Sequence, residues 1–159
     1  RTEERKKKAA AASEQRVKLT MDVGALDNRI RLLTEMEKEY DAHPEVPAMD
    51  KLLDFVGRAL RTSVEEPVLY KAFIQAMKYP EQGTLRYNPK RPYYHMLRKF
   101  VTACRDEGSL PVHVNVEQVV EYLVAIHRGV LLEWRIYEGD FALEEMGRNI
   151  VKAMLRGLR

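Results

Sequence analysis

The stretch from Asn115 to Glu138 is apolar around more of its circumference than a helix on a protein surface needs. Val116, Val119, Val120, Leu123, His127, Val130, Leu131 and Trp134 make one stripe at helical spacing, and Tyr122, Ala125, Ile126, Gly129, Leu132 and Ile136 make a second. A helix with two apolar stripes must be covered twice, because each uncovered stripe leaves apolar surface in water. Ala125 and Gly129, four residues apart, let a covering helix approach closely. The next helix, about Ala142 to Gly157, repeats the pattern, with Leu143, Met146, Ile150 and Met154 on one side and Gly147, Val151, Leu155 and Leu158 on the other. Two solutions are open. A second copy can cover both spare faces and form a four-helix bundle across a twofold axis, with Tyr122, Ala125, Ile126, Gly129, Leu132, Ile136, Met146, Ile150 and Met154 in the interface. Alternatively, the chain's own long first helix supplies the second cover within one monomer.

The rest of the 159 residues reads as helix as well, giving an all-α bundle of about six helices. The first runs from about Ser13 to Asp41, with Leu19, Val23, Leu26, Ile30, Leu33 and Tyr40 on one stripe and Gly24 as a weak point. The linker His43 to Pro47 stops it, since the residue before each proline is pushed out of the helical region. A second helix, about Met49 to Ser63, offers Leu52, Leu53, Val56 and Leu60, and a third, Pro67 to Lys78, offers Tyr70, Phe73, Ile74 and Met77. Tyr79 to Pro92, with Pro80, Gly83, Pro89 and Pro92, is the longest loop and the expected mobile segment. A fourth helix, Pro92 to Glu107, ends at Gly108, a left-handed cap. Asn115 followed by Gln118 resembles a capping box for the fifth. In the last helix Glu144 and Glu145 suit the first turn and Lys152 and Arg156 the last turns, as the helix dipole prefers. His113 to Val116 alternates too briefly to make a strand.

Charge narrows the partners. Arg1, Arg5, Lys6, Lys7 and Lys8 against Glu3 and Glu4 already give the whole net charge of +3, so the remaining residues are neutral. A neutral body is no nucleic-acid surface in its own right, and residues 1–12 read as a basic, solvated extension ahead of a domain over 13–159. No apolar run approaches the roughly 20 residues needed to span a bilayer, so no membrane partner is expected. Cys104 is the single cysteine, which suits a reducing, cytoplasmic setting.

Catalysis needs a nucleophile, acid or base held by an orienting partner, and the histidines lack one. His43 lies in the proline linker, His113 precedes a helix cap, His95 has only Arg91, Arg98 and Lys99 at helical spacing, and His127 has only apolar neighbours there. Glu65-Glu66 and Glu144-Glu145 stand at helix starts, where the dipole explains them better than acid–base work. No phosphate loop, nucleophile elbow, metal set or cofactor motif stands out, so no enzyme activity is expected. A binding cavity needs only apolar walls and a few polar groups. Phe73, Met77, Tyr93, Phe100 and Trp134 fall on the middle helices and are the candidate walls, with Cys104 and His127 as polar contacts. For each of these residues singly, plain core packing is the competing role.

Four segments carry a family resemblance: Asp106-Glu107-Gly108-Ser109-Leu110-Pro111; Val119 to Trp134 with its Arg128-Gly129-Val130-Leu131-Leu132-Glu133-Trp134; Tyr137-Glu138-Gly139-Asp140-Phe141; and Ala153-Met154-Leu155-Arg156-Gly157-Leu158. In that order and spacing they resemble the C-terminal region of TetR-type transcriptional regulators, over Gly108 to Arg159 and, more loosely, from Met49. The resemblance implies that the last two helices form a homodimer interface and that the preceding helices enclose a small-molecule effector, here hydrophobic or aromatic. It implies regulation of DNA binding through a separate helix-turn-helix unit. That unit ends in an aromatic-rich turn that no segment between Arg1 and Leu33 reproduces, so DNA contact falls to a domain absent from this chain. Ala142 stands where the family places an acidic cap, leaving Asp140 to cap the last helix. The competing reading is a helical scaffold protein whose first helix forms a coiled coil, since Leu19 to Tyr40 covers about three heptads.

Overall fold

Proline and glycine punctuation divides the chain where the sequence places it. The computed structural model describes residues 2–82, 85, 88 and 90–159, and their side chains apart from 14–27 and 82. Among the described residues the fold is all-helical, without strands: α1 (Thr2–Asp41), α2 (Ala48–Glu65), α3 (Pro67–Lys78), a short 3-10 turn (Pro80–Gln82), α4 (Pro92–Asp106), α5 (Val116–Ile136) and α6 (Leu143–Arg156). The first helix starts at Thr2 rather than near Ser13. Ala9 to Ala12 are strong helix formers and Glu3 and Glu4 occupy the first turn, so nothing local breaks the helix there. Leu19, Val23, Leu26 and the weak point expected at Gly24 lie outside the described side chains, and Gly83 and Pro89 of the expected mobile loop lie outside the described residues.

Local chemistry sets most of the ends. Asn115 Oδ1 accepts from the Gln118 N–H at 3.1 Å, the forward half of a capping box. Glu66 caps α3 by accepting from the Leu69 N–H at 2.9 Å, ahead of Pro67 in the first turn. Gly108 adopts φ 86°, and the Ser109 N–H reaches back to the Cys104 carbonyl at 2.8 Å, a Schellman closure. The same closure ends α5, where the Gly139 N–H bonds the Trp134 carbonyl at 2.8 Å and Glu138 takes the left-handed position at φ 53°. Asp140 does not cap α6: the cap position belongs to Ala142, which offers no side-chain acceptor. The α2 cap comes from far along the chain, since Glu107 Oε2 accepts from the Ala48 N–H at 2.8 Å.

α2 runs through the centre. It packs on α6, α4 and α3 and touches α5. Leu52, Phe55 and Leu60 on α2 are fully buried against Met96, Leu97 and Val101 of α4, Leu123 and Leu131 of α5 and Val151 of α6 within one core. Gly147 lets α6 approach α2, because a Cβ there would collide with Leu60 Cδ1. α1 lies against α3 and α4, adding Leu33, Met36 and Tyr40 to the core. Tyr40 Oη donates to Asp54 at 2.6 Å and Arg58 pairs with Glu39 at 2.9 Å, tying α1 to α2. Among the described residues the long helix lies away from the second stripe of α5, whose residues stay largely exposed.

Candidate functional site

Two regions carry features that core packing does not account for. The first is the outer face of α5 and α6. The inner stripe of α5, including Val119, Val120, Leu123, Val130 and Leu131, is buried, whereas Tyr122, Ala125, Gly129, Leu132 and Ile136 are exposed and Ile126 is half-buried. On α6, Leu143, Gly147, Val151 and Leu155 face inward, Met146 and Ile150 are exposed, and Met154 is half-buried. Leu143 thus parts from Met146 and Ile150 and joins the α2 side. The exposure of Ile136 reaches 60%, against 4% for Val130 on the same helix, so the two faces are sharply divided. Gly129 has open space beyond its Cα, with no atom within 4 Å of a Cβ placed there. Between the two helices runs a groove of about 570 Å³ lined by Ile126, Gly129, Tyr137, Phe141, Met146 and Ile150, with Glu133 and Asp140 as its charged members. A second groove, of about 490 Å³, runs between α1 and α4 past Leu33, Thr34, Glu37, His95 and Met96. There His95 Nε2 lies 3.2 Å from Glu37, a partner that helical spacing along α4 does not reveal.

The second region is interior. Phe100 packs edge-on to Tyr40 at 5.1 Å between ring centroids and against Phe55 at 5.4 Å; Phe55 meets Tyr93 at 5.7 Å, and Tyr93 meets His127 at 5.3 Å. Of the candidate cavity residues, the structure therefore brings Phe100, Tyr93 and His127 into one aromatic chain. Trp134 stands apart from that chain, with its ring contact to Tyr70 of α3 at 6.2 Å, and Phe73 and Met77 are half-buried on α3. Cys104 is fully buried, and burial, with Glu107 adding to it, pushes its thiol up to about 12, which leaves it an inert apolar group.

His127 is not surrounded by apolar groups alone. Its Nε2 lies 3.3 Å from Ser63 Oγ, which also lies 2.8 Å from the Ala59 carbonyl. If the hydroxyl proton goes to that carbonyl, Ser63 accepts from Nε2–H and Nδ1 carries the lone pair; Nδ1 is buried without a partner. Burial first, then the guanidiniums of Arg29 and Arg128, push His127 down to about 3, so it is neutral in the fold. Arg29 lies over the Tyr93 ring, 5.4 Å from its centroid. Arg128 donates to the Leu85 carbonyl and lies 3.3 Å from Tyr94 Oη. Sequence reading missed Arg29, Arg128 and Ser63. The one local signal was an arginine next to His127 within an otherwise apolar stretch of α5.

Among the described residues no group of three or more His, Cys, Asp and Glu side chains is arranged to hold a metal ion, and no helix is long and apolar enough to cross a membrane. Comparison with family models, curated proteins and solved structures finds no match to this chain. The class that fold and sites define is an all-helical bundle with an exposed apolar face on its last two helices and an aromatic interior edged by Arg29 and Arg128.

Proposed function

We propose that this chain is the effector-binding and dimerisation region of a TetR-like transcriptional regulator, which senses a small hydrophobic or aromatic molecule. The observation that carries the reading is the outer face of α5 and α6. Its apolar residues continue across two adjacent helices, and the helices' other faces are already buried on α2 and α4. Large contiguous apolar patches are unusual on monomers, and an isologous contact buries such a patch against its own copy. Effector binding would then act by favouring one of two dimer geometries, which requires different affinity for each. In this reading DNA is contacted by a domain outside this chain.

Sedimentation equilibrium tests the interface. Wild type is expected to be a dimer at roughly tens of micromolar, and Gly129→Glu, which places a charge on the open face, a monomer. A wild type already monomeric at that concentration overturns the dimer. Residues 1–159 alone are expected to show no sequence-specific duplex binding; salt-resistant, sequence-dependent binding would contradict the division of labour. The scaffold reading has one observation in its favour, the 40-residue length of α1. It predicts that Leu19→Asp together with Leu26→Asp, in the heptads of the first helix, weakens self-association, whereas the α5–α6 interface predicts no change.

A further inference from the structure

The groove between α5 and α6 is not uniformly apolar. Val130 is its most buried member, and Ile126, Met146 and Ile150 supply further apolar wall. Tyr137 and Phe141, in the turn that joins the two helices, add two rings, and Glu133 and Asp140 add two exposed carboxylates. The rings meet at a steep angle, 70° with 6.3 Å between centroids, so they form a corner and not a stack. No basic side chain is among the described residues that line the groove. The turn is held by its own backbone: the Gly139 N–H bonds the Trp134 carbonyl at 2.8 Å, and the Asp140 N–H bonds the Tyr137 carbonyl at 3.0 Å. Rings and carboxylates are thus set in place before anything binds, which lowers the ordering cost of binding.

Charge separates the candidate occupants. The groove's volume of about 570 Å³ falls within the range of small-molecule sites. A neutral apolar molecule would cover the walls but take water from two carboxylates without replacing it, which is costly. An anion would be repelled by both. A second copy in isologous contact presents the same patch, whose charged members are again Glu133 and Asp140 and not a counter-ion. A cation with an apolar body answers both halves of the groove. Its head meets aromatic faces and carboxylates together, and its body covers the aliphatic wall, where the flexible Met146 adapts to its shape.

We propose that this groove binds an amphipathic organic cation, an ammonium on an aliphatic or aromatic body, with its head among Glu133, Asp140, Tyr137 and Phe141 and its body on Ile126, Met146 and Ile150. The inference rests on the effector and dimer reading above: it names the chemical class of the effector and places it on the outer face of α5 and α6, not in the interior. Ligand and second copy then bury the same residues, so each excludes the other. Binding of the cation shifts the chain towards monomer, and by linkage dimer formation weakens binding of the cation to the same extent.

The test is isothermal titration of the full chain with a matched series, 4-phenylbutyltrimethylammonium, 4-phenylbutanol and 4-phenylbutyrate, and sedimentation equilibrium of the same mixtures. The ammonium is expected to bind at least about tenfold more tightly than the alcohol, with the carboxylate weakest, and to lower the dimer fraction. Glu133→Gln combined with Asp140→Asn should remove most of the ammonium's advantage while leaving the alcohol's affinity unchanged. Alcohol or carboxylate binding as tightly as the ammonium would overturn the cation site. An advantage that survives the double substitution overturns the assignment of the two carboxylates. Ammonium binding that leaves the dimer intact overturns the groove as its place. No ammonium binding to a dimeric wild type makes the second copy the occupant, which overturns the site but not the dimer reading. A wild type monomeric without ligand overturns the dimer reading, and the titration alone then decides the site.

Discussion

His127 shows how a single residue reports its surroundings. Its folded pKa, about 3, lies below the ordinary 6.5 because burial and two nearby guanidiniums disfavour the imidazolium. In the unfolded chain the ring protonates near 6.5, so below that pH the unfolded state binds the extra proton and the folded state does not. Stability is unaffected by this group above about pH 6.5 and falls as the pH drops towards 3, by about 1.4 kcal/mol per unit. His127→Gln removes the titration and leaves a side chain able to bond Ser63. Urea denaturation at pH 7 and pH 5 should show the variant gaining about 2 kcal/mol on wild type over that interval. An unchanged difference would mean that His127 titrates normally. Only Arg128 was legible locally, as the next residue on α5; Ser63 and Arg29 are brought to the ring from α2 and α1.

At the scale of elements, two glycines on facing helices separate required space from incidental space. A Cβ on Gly147 would run into Leu60 Cδ1, a fully buried side chain with nowhere to turn, so Gly147→Ala should cost about 1–3 kcal/mol by forcing α6 away from α2. A Cβ on Gly57 would collide with the guanidinium end of Arg148, which can swing aside, and would stand in ordinary contact with Glu144 Oε2 at 3.4 Å. Gly57→Ala should therefore be neutral or stabilising by up to about 1 kcal/mol, since alanine is the better helix former. Thermal melts of the pair decide it: equal losses would mean that both glycines mark tight crossings. The end of α5 carries a different strain. Glu138 holds a left-handed φ of 53° that glycine takes at no steric cost, so Glu138→Gly should raise stability by about 0.5–1 kcal/mol in a chemical melt. A loss there would mean that the Glu138 side chain contributes more than its backbone costs. The limits of these helices were readable because caps and prolines act within a few residues, whereas Gly147 read only as a small residue on an apolar stripe.

For the whole molecule, the outer face of α5 and α6 decides behaviour in solution. If a second copy covers it, folding and association are linked and the melting temperature rises with protein concentration. Differential scanning calorimetry over a hundredfold concentration range should show that rise for wild type and none for Gly129→Glu. A melting temperature independent of concentration in both would leave the face bare and the dimer reading without support.

The sequence alone determined the helix content, five of the six α-helix starts to within about a residue, and the presence of a second apolar stripe on α5 and α6. These follow from residue period and from capping chemistry, both local in the chain. The start of α1 escaped because the basic segment before Ser13 read as a solvated end, although its alanines favour helix. Only the tertiary structure decided that α1 lies on α3 and α4 instead of on α5, that Glu107 caps α2 across the fold, and that Arg29 and Arg128 meet at Tyr93 and Tyr94. Those contacts join residues far apart in the chain. Side-chain periodicity says which face of a helix is apolar but not which other helix will cover it, and that choice is made when all the faces are buried together.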